Sequence, residues 1–212
     1  RVLKQEPERL IKLKNDIELA TLEELIAHFE TKLNEGGNES GWQKLFDENP
    51  FILNMAFGYP VIKIQGQASV GGRKISGDGD KITDFLVKNN LSNNLALFEI
   101  KKPDTKLLSK TAYREGVFGP SSELTGAVSQ MLDQKNLIQR HILSLKDNSR
   151  IYDLEAFAVH GVLVIGRSPQ DFDEKKSFEL YRGNSKDIAV VTFDELLEKL
   201  KQLHTFIRQP TS

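Results

Sequence analysis

Three charged residues have the types and spacing to do chemistry together. In KITDFLVKNNLSNNLALFEIKKPDT, residues 81–105, two apolar segments flank an Asn-rich turn, and they carry Asp84 and Glu99, with Lys101 two places on. Charge inside an apolar strand costs free energy unless it has a partner. Residues two apart on a strand share a face, so Glu99 and Lys101 point the same way. Asp84 sits on the neighbouring strand, about 4.8 Å away. Two acids at that separation repel, and each raises the other's pKa. A divalent cation removes the conflict, and hard oxygen donors suit Mg²⁺ or Mn²⁺. The same residues would also serve as an exposed hairpin with a cross-strand ion pair, worth roughly 0.2–1 kcal/mol.

Acid-x-Lys on its own carries little information. It begins at Glu30, Glu99, Asp104, Asp133, Asp173 and Glu174. Of these, Glu99 alone lies inside an apolar strand, LALFEIK, preceded by a second strand with its own acid. Downstream, SSELTGAVSQMLDQK places Glu123, Ala127, Gln130 and Gln134 along one side of a helix. Val128, Met131, Leu132 and Ile138 supply core positions, with Gln130 at the boundary of the open face.

The surrounding elements must position these groups. PERLIKLKNDIELA puts Leu10, Leu13, Ile17 and Ala20 on one helical face. Thr21 with Glu24 reads as a capping box that restarts the helix, giving an N-terminal helical hairpin over residues 1–35. The hairpin's second stripe is Leu22, Leu25, Ile26, Phe29 and Leu33. It would pack on the body of the domain, or on a second copy or upstream sequence. NEGGNESG, 34–41, is a domain edge. Ser40 with Gln43 then forms another capping box, opening the helix WQKLFDEN, in which Trp42 and Phe46 pack. VIKIQGQASV is a strand, followed by a Gly- and Lys-rich turn at 71–81. Residues 102–120 form an irregular basic connection. A long helix capped by Ser121 or Ser122 follows, then a strand, a short helix, a strand and a closing amphipathic helix. That order describes an α/β domain over 36–212, with a mixed sheet flanked by helices.

Composition sets limits. The chain has 212 residues, 39% apolar and 28% charged, with no Cys and a formal net charge of -1. Disulfides and thiolate metal sites are excluded, a reducing, cytoplasmic setting is expected, and no apolar run has membrane-spanning length. The first residue is Arg rather than Met, so a piece of a longer protein is expected. Nucleic-acid binding would need a local basic patch. Lys101, Lys102, Lys106, Lys110 and Arg114 provide one, although charge runs often simply face solvent. The Gly-rich turn of REGVFGPSS, entering a helix N-terminus, is a further phosphate seat to consider. His160 reads as a core or edge residue, and His28, His141 and His204 lack metal-ligand spacing.

Asp84, the hairpin, Glu99-Ile100-Lys101 and a helix with Gln130 together resemble the PD-(D/E)xK nuclease superfamily. The phrases WQKLFDENPFIL, EIKKPDT, YREGVFGPSSELTGAVSQMLDQK and HGVLVIGR resemble the nuclease domain of the Shedu antiphage-defence proteins, over roughly residues 40–200. Thr83 stands where the superfamily name has Pro. The resemblance implies a restriction-endonuclease-like fold and Mg²⁺-dependent (or Mn²⁺-dependent) hydrolysis, including nicking, of double-stranded DNA by a homo-oligomer, a tetramer. It implies that Asp84, Glu99 and the Ile100 carbonyl bind the ion, that Lys101 holds the attacking water, and that Gln130 orients Lys101 or that water. It places a further acid at Glu48, which would equally serve as a helix-end surface residue. Lys102, Lys106, Lys110 and Arg114 would contact DNA. The rival readings are a non-catalytic DNA-binding or oligomeric scaffold of the same fold, and cleavage of RNA.

Overall fold

The computed structural model describes residues 6–69 and 82–208; the side chains of 6–16, 65, 67–69 and 82 are outside the description. The turn expected at 71–81 therefore lies outside the described residues, as do the side chains of the stripe positions Leu10 and Leu13. Helices α1 (Glu6–Glu35), α2 (Glu39–Glu48) and α3 (Phe51–Ala56) precede strands β1 (Val61–Ser69), β2 (Ile82–Asn89) and β3 (Asn94–Ile100). Then come β4 (Leu108–Arg114), β5 (Val117–Pro120), α4 (Ser122–Ser149), β6 (Glu155–Val164), α5 (Phe172–Gly183), β7 (Ile188–Val191) and α6 (Phe193–Arg208).

The main sheet has the order β1-β2-β3-β6-β7. β1, β2 and β3 pair antiparallel, whereas β3–β6 and β6–β7 are parallel. The sheet is thus mixed, with helices on both faces. Alternation along β3 sorts its side chains. Ala96, Phe98 and Ile100 enter the core shared with α1, α2, α3 and α6. Leu95 and Leu97 enter the opposite core, with Leu124, Met131 and Ile138 of α4 and Phe178 of α5. β6 approaches α4 closely because residue 161 is Gly; a Cβ there would lie 2.6 Å from Ile188 and 2.8 Å from Met131. Among the described residues no helix is long and apolar enough to cross a membrane.

Three local expectations are corrected. The N-terminal hairpin is one uninterrupted helix. Thr21 does not cap a second helix; its hydroxyl donates back to the Ile17 carbonyl at 2.8 Å, an arrangement that leaves the helix intact. The Glu30–Lys201 ion pair (2.5 Å) and the Glu23–His204 hydrogen bond (2.9 Å) set α1 antiparallel to α6. Leu22, Leu25, Phe29 and Leu33 join the core beneath the sheet, so this half of α1 packs on the body of the molecule.

The cap of α2 is Asn38 rather than Ser40. The Asn38 side chain accepts from the Gly41 N–H at 2.9 Å, and Ser40 merely donates to it. The basic connection at 102–120 is also not irregular throughout. It contains the β4–β5 hairpin, a separate two-stranded sheet that turns at Gly116 with φ +66°.

Candidate functional site

The β2–β3 register pairs Phe85 with Phe98, which places Asp84 opposite Glu99. Both acids lie on the α4 side, at the end of the sheet where β3 and β6 finish. Their carboxylates interlock with the backbone. The Ile100 N–H donates to Asp84 Oδ2 at 2.7 Å, and the Asp84 N–H donates to Glu99 Oε2 at 3.4 Å. Lys101 Nζ lies 3.1 Å from Glu99 Oε1, and Gln130 Nε2 donates to that same oxygen at 3.3 Å. The Lys101 backbone N–H continues the ladder to Val164 O at 2.8 Å, so Lys101 keeps the strand alternation that puts its side chain on the same face as Glu99.

The electrostatics are strained. Glu99 is 4% exposed. Burial first, and the Glu99 charge second, push the Asp84 carboxyl up to about 7, against the pull of the Ile100 N–H and Lys101. Burial also raises Glu99, opposed by Lys101. For Lys101 burial alone would lower the pKa, but Glu99, Glu39 and Asp84 outweigh it and hold the ammonium above its usual range. Two acids held this way stabilise a cation placed between them.

The available donors are two carboxylates and the Ile100 carbonyl, all hard oxygens that suit Mg²⁺ or Mn²⁺. Among the described residues no group of three or more His, Cys, Asp or Glu is arranged to hold a metal ion by itself. An ion here would complete its shell with water and phosphate oxygens, the usual habit of Mg²⁺.

The structure therefore brings together Asp84, Glu99, Lys101 and Gln130. It does not bring Glu48 to them: that carboxylate is more than half exposed and lies 3.8 Å from Lys44, one turn away on α2. Instead α2 offers two residues that sequence reading missed. Gln43 Nε2 donates to Asp84 Oδ1. Glu39, one turn earlier, is the acid whose charge acts on Asp84, Glu99 and Lys101. The available signal was their i, i+4 spacing beside the apolar stripe of Trp42, Leu45 and Phe46. Those three residues are buried, so Trp42 and Phe46 pack the core.

Lys102, Lys106, Lys110 and Arg114 are exposed, the first two on the loop and the others on β4. They form no ion pair among the described residues. The loop is nevertheless held in place. Gly166, at φ +63°, lets the chain leaving β6 press against it: a Cβ there would lie 2.6 Å from Thr105 O, and the Gly166 N–H donates to Lys102 O at 3.1 Å. A cavity of about 720 Å³ lies between this loop and residues 167–174, with Lys106, Lys110 and Arg167 in its walls. Ser121 caps α4 by accepting from the Leu124 N–H at 3.0 Å, so part of that helix terminus is already satisfied. His160 is an exposed residue on β6, its ring 6.4 Å from Tyr59.

Among known protein families, the one described as Shedu protein SduA, C-terminal, matches residues 37–197. The chain belongs to this family. It is also 35% identical over 193 residues to Shedu protein SduA of Bacillus cereus (strain B4264), covering 88% of this chain and 51% of that protein. The chain thus spans about half the length of the curated relative it matches. The family match begins just after α1 and includes every site residue named above.

Proposed function

We propose that this chain is the nuclease domain of a Shedu antiphage-defence protein, a metal-dependent endonuclease of the PD-(D/E)xK type acting on double-stranded DNA. The observation that carries the reading is the convergence of Asp84 and Glu99, from paired strands, beside the Lys101 ammonium. A purely DNA-binding surface has no use for two buried acids set against phosphate. Asp84, Glu99 and the Ile100 carbonyl would hold Mg²⁺, which when bound polarises the phosphodiester and acidifies a water molecule.

The chain's own groups do the rest. Lys101 donates to the attacking water and offsets the negative charge that develops on the phosphate. Gln130 shares Glu99 Oε1 with Lys101 and so fixes the direction in which that ammonium points. Glu39, rather than Glu48, is the further acid within electrostatic reach. The exposed cations of the loop and β4 bind phosphates without regard to sequence. The family resemblance extends the reading to a homo-oligomer, a tetramer, which light scattering of the purified chain measures.

The deciding experiment is conversion of supercoiled plasmid by this chain in Mg²⁺ and in EDTA, with wild type and Lys101→Ala. Cleavage is expected only for wild type in Mg²⁺. Cleavage that survives both changes rejects the assigned site. DNA binding without cleavage under any condition supports the scaffold reading, and preference for RNA in competition moves the substrate class.

A further inference from the structure

We propose that Gln43 is a positioning residue for Asp84, aiming its carboxylate so that the remaining lone pairs face the cation site. The inference rests on the metal-binding part of the reading above. Asp84 is gripped from two separate elements. Its Oδ2 accepts from the Ile100 N–H at 2.7 Å, and its Oδ1 accepts from Gln43 Nε2. With one oxygen held by β3 and the other by α2, the carboxylate plane has no free rotation about its last torsion. That torsion is otherwise broad for Asp.

The anchor behind Gln43 is rigid. Its chain neighbour Trp42 and, one turn on, Phe46 are fully buried. Trp42 packs on Phe29 of α1 and Phe193 of α6, with ring centroids 4.8 and 4.6 Å away. Phe46 meets Phe98, the residue before Glu99, edge-on at 5.9 Å. The aromatic contact that fixes α2 thus also references it to the strand carrying the second acid. Asn38 takes the cap of α2, one turn before Gln43, and the Gln43 amide nitrogen reaches Asp84.

An amide is the suitable donor here. It holds a carboxylate without adding charge, whereas a Lys would neutralise the group and compete with a cation. A cavity of about 530 Å³, bordered by Gln43, Lys63, Gly66 and Asp84, opens beside this hydrogen bond and gives solvent access to it. Neighbouring polar groups on α2 are engaged elsewhere: Asp47 pairs with Lys63 at 2.6 Å, and Lys44 lies towards Glu48.

The test is direct Mn²⁺ binding to the full chain, by calorimetry and by electron paramagnetic resonance. It compares wild type, Gln43→Met, which keeps the volume and loses the donor, and Gln43→Ala. Both variants should bind Mn²⁺ about tenfold more weakly, the usual effect of removing a partner that orients a ligand. Plasmid cleavage at saturating Mg²⁺ should stay within about threefold of wild type, because the ion restores the carboxylate's orientation once bound. Gln43→Asn, which carries the same amide on a shorter arm, should recover only part of the affinity.

Unchanged Mn²⁺ affinity in both the Met and Ala variants overturns the proposal. So does a loss of cleavage at saturating metal with affinity intact, which would make Gln43 part of the chemistry. Wild type that binds Mn²⁺ but cleaves no nucleic acid defeats the nuclease reading and leaves this inference standing. Wild type that binds no Mn²⁺ defeats both.

Discussion

Two antiparallel hairpins lie in succession, and they treat charge in opposite ways. β2–β3 belongs to the main sheet, and six of the seven residues of β3 are buried. β4–β5 forms its own two-stranded sheet, and β4 is exposed along most of its length. The first puts carboxylates where water cannot dissipate their field; the second keeps Lys110 and Arg114 in solvent. A low-dielectric setting is what makes Asp84 and Glu99 sensitive to a cation, since Coulomb energy scales inversely with effective permittivity. Solvated cations gain little from any single contact, but together they release counterions from a polyanion. The buried hairpin holds strongly perturbed groups, and such groups cluster at chemically active sites.

The sharpest way to break this contrast is to substitute the buried set. Asp84→Asn and Lys101→Ala should each slow plasmid cleavage by roughly 10²–10³-fold, the scale of losing a charge-stabilising group. Retained cleavage in either variant would remove the buried hairpin from the chemistry.

The second prediction concerns stability. Asp84 has a folded pKa raised from 3.8 to about 7, so its contribution to stability is present below the unfolded value and is lost as pH rises through the folded one. In EDTA the protein should lose on the order of 2–4 kcal/mol between about pH 4 and pH 8 from this pair. Mg²⁺ should therefore raise Tm more at pH 8 than at pH 5, and Asp84→Asn should flatten the metal-free profile. Denaturant unfolding at several pH values measures both. An equal Mg²⁺ effect at the two pH values would mean the acids are not frustrated.

Gln130→Ala should cut cleavage by about tenfold at subsaturating Mg²⁺, as expected for a group that orients a ligand and its neighbouring ammonium. The exposed hairpin should respond differently. Lys110→Ala with Arg114→Ala should weaken DNA binding only several-fold, and should lower the slope of log affinity against log salt by about 2. Turnover at saturating DNA should not change. A loss of turnover there would blur the division between the hairpins. Smallest of all, Glu48→Gln should stay within about twofold of wild type, as an exposed i, i+4 pair predicts.

The buried hairpin was legible because an acid in the middle of LALFEIK contradicts its surroundings, and a contradiction of that kind has few resolutions. The α4 helix was legible for its length and for Gln130. The exposed hairpin was not, because Lys, Thr, Tyr and Arg on β4 give no apolar alternation; only the Gly116 turn marked it. The capping box at Thr21 is only a four-residue signal, and α1 runs through it with the Thr21 hydroxyl turned back to the Ile17 carbonyl. Glu39 and Gln43 were missed for a different reason. Their place at the site depends on Phe46 meeting Phe98, a contact between residues 52 positions apart that no local pattern announces. Glu48, which the family resemblance puts forward, sits on the same helix but is exposed beside Lys44.

α1 lies before the stretch matched by the family, yet Phe29 is pressed against both Trp42 and Phe46. It acts as a backstop for α2. A protein shortened to begin at residue 36 would keep both carboxylates, the ammonium and the basic loop. It would nonetheless release the helix that grips Asp84 from outside the sheet, and its hold on a metal ion would loosen even though every one of those groups remained.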